Sequence, residues 1–202
     1  MASRRSARKS GSTPASPLVI DVSRLGRRPG EMMTVDTTVI SPSRIGLDLI
    51  AIEPGADVDL DLRLESVSEG VLVTGTVRAP TRGQCSRCLG PVTGEVEIEL
   101  TELFAYPDSI TESTTDEDEM GRVDDSCVNL EQPIIDAVGL MLPFAPACSP
   151  DCPGLCPDCG VAMATAEPGH HHDTIDPRWA KLAEIVVPDP GSPDPEAGAP
   201  GR

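Results

Sequence analysis

Apolar and charged residues alternate with a period of two through the middle of the chain. In DVDLDLRLESV (57–67), Val58, Leu60, Leu62 and Leu64 are separated by Asp and Arg, the pattern of a strand with one buried face. GVLVTGTVRAP (70–80) follows the turn SEG, and GEVEIELTELFAY (94–106) alternates again through Val96, Ile98, Leu100 and Leu103. Three long runs with short connections predict an antiparallel sheet, with curling into a barrel as an open alternative. Upstream, LDLIAI (47–52) predicts a shorter strand bounded by EPGAD. The run PLVI (17–20) precedes a brief turn at 24–26 that Asp21 or Ser23 can cap.

The period then changes. In NLEQPIIDAVGLML, Leu130, Ile134, Val138 and Met141 recur at helical spacing, widened by Ile135 and Leu142. Asn129 or Asp125 is placed to cap this helix, and Pro143 and Pro146 end it. A short last helix is expected over 176–186, with Asp176 as cap and Pro177 in the first position. The predicted fold class is α+β: an antiparallel, barrel-prone sheet with one or two helices and a Cys-rich loop.

Composition sharpens this picture. The core has to be aliphatic, because the 202 residues include only one Trp, one Tyr and two Phe, while Gly and Pro number 18 and 21. A chain of this length suits one domain, and one with a modest core gains from a bound metal. The net charge of −17 is unevenly spread. Residues 1–28 carry seven Arg or Lys against Asp21 alone, whereas 108–125 carry eight Asp or Glu against Arg122. The first segment reads as a disordered basic tail over 1–16, the second as a mobile acidic loop, and 188–202 as a second disordered tail. So acidic a body repels nucleic acid as a whole, and any RNA contact needs a local basic patch. No run reaches the ~18 apolar residues of a membrane span, and no apolar stretch follows the basic start as it does in a secretory signal. A cytoplasmic location with reduced thiols is therefore expected, with no membrane partner.

The seven cysteines carry the candidate chemistry. Cys85 and Cys88 lie in QCSRCLG, and Cys148, Cys152, Cys156 and Cys159 in CSPDCPGLCPDCG; Cys127 stands alone and reads as a free structural thiol. A Cys-x-x-Cys followed by Gly is the form of a zinc knuckle, in which two thiolates hold one ion and backbone N–H groups turn toward the sulfurs. Simple burial as small apolar residues does not require this spacing. Four arrangements fit it: the C-terminal cluster closing a site alone, 85/88 facing 156/159, 85/88 with 148 and 152, or a six-thiolate cluster of two metals. Iron–sulfur ligation satisfies it too, although zinc in a closed structural site is the expected cofactor. A zinc deaminase needs His-x-Glu upstream of its Pro-Cys-x-x-Cys, and here His170, His171 and His172 come after CPDC. A thioredoxin-like pair needs a Cys-x-x-Cys that opens a helix, against the strand setting of Cys85 and Cys88. The histidines themselves read as a solvated loop rather than ligands, because the thiols already suffice. Arg78, Arg82 and Arg87 surround the first knuckle as candidate RNA-binding residues, with balancing of an acidic neighbourhood as the plainer reading.

QCSRCLGPV, ELFAYPD before an acidic loop, LMLPFAPACSPDCPGLCPDCG and IDPRWAKLAEI, in that order, resemble the YceD family of bacterial proteins linked to accumulation of large-subunit ribosomal RNA. The resemblance spans about residues 18–187, so 17–187 reads as a single YceD-like domain. It implies a cytoplasmic, non-enzymatic factor in synthesis, processing or stability of large-subunit rRNA, whose partner is that RNA or a large-subunit ribosomal protein. No small-molecule substrate is expected. Members differ in their cysteines, which argues for a metal that supports the fold rather than one that catalyses. Cys85, Cys88, Cys148, Cys152, Cys156 and Cys159 carry over as candidate ligands. Two other classes compete: a zinc–thiolate redox or metal-responsive switch, and an acidic holdase for basic ribosomal proteins. No Ser/His/Asp, paired-carboxylate or phosphate-loop arrangement suggests an enzyme.

Overall fold

The computed structural model describes residues 16–107, 109–114, 120–172, 178 and 181. Its spine is one long hairpin, β6 (Gly70–Gln84) and β7 (Pro91–Ala105), paired in unbroken register from Gly70↔Ala105 to Gln84↔Pro91. The alternating sequences produce the expected faces. Val71, Val73, Val77 and Ala79 of β6 and Val96, Ile98 and Leu100 of β7 are buried. On the other edge of β6 lies β5 (Asp57–Ser66), with Val58, Leu60, Leu62 and Leu64 buried.

Outside these three strands the sheet departs from expectation. β2 (Met32–Ile40) pairs along the outer edge of β5 from Met32↔Glu65 to Ile40↔Asp57, and nothing in the apolar pattern marked it. Only Met33, Val35 and Val39 of MMTVDTTVI turn toward the core, each partly buried, as suits an edge strand. Residues 47–52 do not form one strand. They are split by a tight turn between β3 (Ile45–Gly46) and β4 (Ile50–Ile52), closed by Leu47 N–H on the Ile50 carbonyl at 2.9 Å. The Arg44 guanidinium holds that turn by donating to the carbonyls of Leu47 and Asp48 at 2.7 and 2.9 Å.

β4 and β5 run along the same edge of β6, one after the other, with 53–56 looped out between them. EPGAD is thus a bulge loop in a continuing edge rather than a reversal. The backbones approach closely at Gly83, where a Cβ would overlap the Leu49 carbonyl oxygen, so β4 can pair there only with glycine. The resulting order is β2-β5-β6-β4-β3 with β7 on the other side of β6. The sheet does not close into a barrel, since β2 and β7 remain separate edges among the described residues.

One helix, α2 (Glu131–Met141), covers the sheet through β7 and β3. Leu130, Ile134, Val138 and Leu142 are buried, whereas Met141, expected on this face, is 60% exposed. The N-cap position is Leu130, which has no side-chain cap bond, but Asn129 just before it accepts from Glu131 N–H at 3.0 Å. Leu142, ahead of Pro143, is extended (φ −72°, ψ 142°) and ends the helix. A small second sheet, β1 (Val19–Asp21) with β8 (Cys127–Asn129), adds Ile20 and Val128 to the same core.

The acidic segment 108–125 is structured where it is described. A short helix, α1 (Ile110–Thr114), has its first N–H groups bound by the Glu69 carboxylate. Gly121 and Val123 exchange backbone hydrogen bonds with Ala105 at 3.0 and 2.9 Å, which buries Val123. The helix expected at 176–186 and the tails 1–16 and 188–202 lie outside the described residues, apart from Ser16, Arg178 and Lys181. Among the described residues no helix is long and apolar enough to cross a membrane.

Candidate metal centre

The tip of the β6–β7 hairpin, residues 85–90, is the first knuckle. Cys85 N–H donates to the Gly90 carbonyl at 2.8 Å and Leu89 N–H to the Cys85 carbonyl at 2.9 Å. The second knuckle repeats both bonds at the same offsets: Cys156 N–H to Val161 at 2.8 Å and Gly160 N–H to Cys156 at 2.9 Å. The residue after the second cysteine is left-handed in each, with φ 57° at Leu89 and 73° at Gly160. This turn aims successive N–H groups at the first sulfur. Arg87 N–H lies 3.4 Å from Cys85 Sγ.

The knuckles do not face each other. The chain leaving α2 crosses the hairpin tip, where Ser86 N–H donates to the Pro146 carbonyl at 2.7 Å. That crossing brings Cys148 and Cys152 against Cys85 and Cys88, so of the four arrangements the sequence allowed, the one joining 85/88 to 148 and 152 is formed. The four Sγ atoms lie within 4.8 Å of one another. Cys85–Cys152 is 3.8 Å and Cys88–Cys148 is 3.6 Å. Four sulfurs placed tetrahedrally ~2.3 Å from one ion stand about 3.8 Å apart, whereas a disulfide needs about 2.05 Å. The thiol set therefore fits a metal. Cys85 and Cys152 are buried, Cys88 is half-buried and Cys148 exposed.

Their acidities diverge. Backbone N–H groups of Cys88, then Cys148, then Arg87 pull the Cys85 thiol down to about 6 against the opposing effect of burial. Cys148 is pushed up to about 12, chiefly by its hydrogen bonds with Cys152 and Cys88. Cys88 is raised as well: its contacts with the Cys85 and Cys152 thiols outweigh the Gly90 N–H, which by itself lowers it. The pattern is one thiolate solvated by backbone amides and neighbouring thiols.

Cys156 and Cys159 lie with His170 and His172 rather than with the first thiols, and these four ligand atoms also fall within 4.8 Å of one another. Backbone N–H groups of Cys159 and Asp158, and a bond with His170, take Cys156 down to about 6. The histidines do lie on a largely exposed loop, but His170 and His172 stand beside the second knuckle, a proximity their spacing did not signal. With Cys148 and Cys152 drawn to the first knuckle, the second keeps two thiols of its own, and GHHH holds all three of the chain's histidines. Cys127, in β8, belongs to neither cluster.

The three arginines have separate fates. Arg78 is paired with Glu97 across β6–β7 at 2.7 Å, which raises its pKa. Arg87 donates to the carbonyls of Pro150 and Cys152 at 3.0 and 3.2 Å, stitching the loop to the hairpin tip. Arg82 is exposed, beside Glu53 and Asp57 in a shallow concavity. The outer sheet face is acidic. Asp36, Asp61, Thr76 and Glu99 form one row across four strands, and Thr38, Asp59, Arg78 and Glu97 the next.

Fold and site together define a small antiparallel-sheet protein with one covering helix and two cysteine-centred clusters. The pattern of the family described as "Large ribosomal RNA subunit accumulation protein YceD" matches residues 73–186, which hold the spine hairpin from Val73 onward, α2 and both clusters. The chain belongs to the YceD family. It is 68% identical over 175 residues to Uncharacterized protein Rv2926c of Mycobacterium tuberculosis, covering 87% of this chain and 84% of that one. To Uncharacterized protein ML1660 of Mycobacterium leprae it is 58% identical over 174 residues, with 86% and 80% covered. No solved structure matches the chain.

Proposed function

We propose that this protein supports the synthesis, processing or stability of large-subunit ribosomal RNA in the cytoplasm, as a non-enzymatic factor stiffened by a structural zinc. The observation that carries this reading is the family membership over 73–186. Cys85, Cys88, Cys148 and Cys152 would hold the ion. Four thiolates leave no open position for water or substrate, so the metal would supply rigidity rather than Lewis-acid chemistry. It would fasten the hairpin tip to the segment after α2, along the line already drawn by the Ser86 backbone N–H and the Arg87 guanidinium.

Within this role the acidic rows on the sheet favour a basic ribosomal protein as direct partner. Arg82 favours RNA: it has no ion pair or side-chain hydrogen bond among the described residues, in contrast with Arg78 and Arg87. Sedimentation of tagged protein from growing cells tests the role. Co-migration with large-subunit precursors is expected. Loss of co-migration after nuclease treatment would identify RNA as the partner, and persistence a protein. Confinement to the top fractions, with unchanged large-subunit rRNA in a deletion strain, would overturn the proposal.

A further inference from the structure

The second cluster shares no residue with the site just assigned. Cys156 and Cys159 sit on a turn that repeats the first knuckle bond for bond, and a bridge between Leu155 and Ala162, with Met163 N–H on the Gly154 carbonyl at 2.9 Å, closes its base. The chain then returns through a turn at Glu167–His170, held by His170 N–H on the Glu167 carbonyl at 3.0 Å, with Gly169 at φ 84°. Three histidines follow this turn. His170 and His172 face the knuckle, while His171 turns away and its Nδ1 bonds the Gly169 carbonyl at 2.7 Å.

The spacing is that of a coordination shell. His170 Nε2 lies 3.4 Å from Cys159 Sγ and 3.1 Å from His172 Nε2. Two sulfurs and two imidazole nitrogens placed tetrahedrally at ~2.3 and ~2.05 Å from one ion give edges of about 3.6 Å (S to N) and 3.3 Å (N to N). The four ligand atoms lie within 4.8 Å of one another, close enough to surround a single ion.

We propose that Cys156, Cys159, His170 and His172 form a second zinc site, separate from the four-thiolate one and self-contained within residues 154–172. Two thiolates and two imidazoles in a tetrahedral set suit Zn2+, and with four protein ligands the site is closed. Its ligands are the more exposed of the two sets: only Cys156 is buried, against Cys85 and Cys152 in the first. The second ion is accordingly the one a chelator removes first. This assignment does not depend on which ribosomal partner is bound.

The test is zinc content of the full chain after reconstitution with excess Zn2+ and desalting. Two equivalents per chain are expected for the wild type and one for the double variant His170→Ala, His172→Ala. The remaining ion of that variant, exchanged for Co2+, should show the absorption of a four-sulfur site. Replacing the pair instead by His170→Cys, His172→Cys should restore two equivalents, which no purely structural role of the imidazoles would do. One equivalent in the wild type that persists in the alanine variant, no zinc in the wild type, or two equivalents in the alanine variant overturns the proposal. A matching Cys88→Ser, Cys148→Ser variant separates its failure from that of the first site, because that variant alone should lose the four-sulfur spectrum.

Discussion

At Leu89 a branched side chain occupies the left-handed conformation that Gly160 fills in the second knuckle. Such a residue costs about 1–2 kcal/mol there, partly offset by the greater unfolded freedom of glycine. Leu89→Gly is therefore expected to leave stability unchanged or raise it by up to about 1 kcal/mol, and Gly160→Leu to lower it by about 1 kcal/mol, in denaturant titrations of both variants. The thiols lead to a pH prediction. At pH 7 Cys88 and Cys148 hold protons, their pKa values being raised above the ordinary 9.0, while Cys85, lowered to about 6, is largely ionised. Zinc loading of the first cluster must displace the bound protons. Affinity should thus strengthen as pH rises through neutrality, with at least two protons released per ion in weakly buffered titrations; release of none would contradict the four-thiolate assignment. The cysteines were legible from their spacing. Their partners were not, because pairing depends on where the chain crosses the hairpin tip, at Pro146 over Ser86, and no local pattern encodes that crossing.

Among the elements, the strands with one fully buried face announced themselves. β5 and β7 alternate Val, Leu and Ile against charge, and β6 supplies a run rich in Val and Thr. β2 did not, since an edge strand buries too little to need a full apolar stripe, and its Thr34, Thr37 and Thr38 blurred the period. The β3–β4 turn escaped for a different reason: LDLI alternates well enough for a strand, and the decision falls to Arg44 binding two carbonyls. In α2 the register was read correctly at Ile134 and Val138, but the apolar stripe finishes at Leu142, leaving Met141 outside. Two glycines make opposite predictions. Gly139, inside α2, has open space around an added Cβ, so Gly139→Ala should stabilise by about 0.5–1 kcal/mol. Gly83→Ala drives a methyl into the backbone of residue 49 and should cost about 1–3 kcal/mol. Thermal melts of the two variants check both signs.

For the whole molecule, the sheet and α2 rest on an aliphatic core built from Leu60, Leu62, Leu64, Val73, Ile98, Ile134 and Val138, none of which touches the thiols in sequence. Chelation should therefore loosen the ends of the structure and spare its centre. Hydrogen exchange is expected to rise at 85–90 and 148–172 while β5 and the middle of β6–β7 stay protected; uniform deprotection would mean that the metal sites govern the entire fold. The α+β outline and the acidic body were readable from pattern and composition, but the acidic rows were not, because they arise only when Asp36, Asp61 and Glu99 come into register. The two clusters also differ as knots in a string. Cys88 and Cys148 are 60 residues apart, Cys159 and His170 only 11. Joining distant points takes more freedom from the unfolded chain than joining near ones, by about 1.5 kcal/mol for this ratio of lengths on the scaling (3/2)RT ln n. An ion in the first cluster would turn β7, α1 and α2 into one closed ring, whereas an ion in the second would tie off only its own short loop.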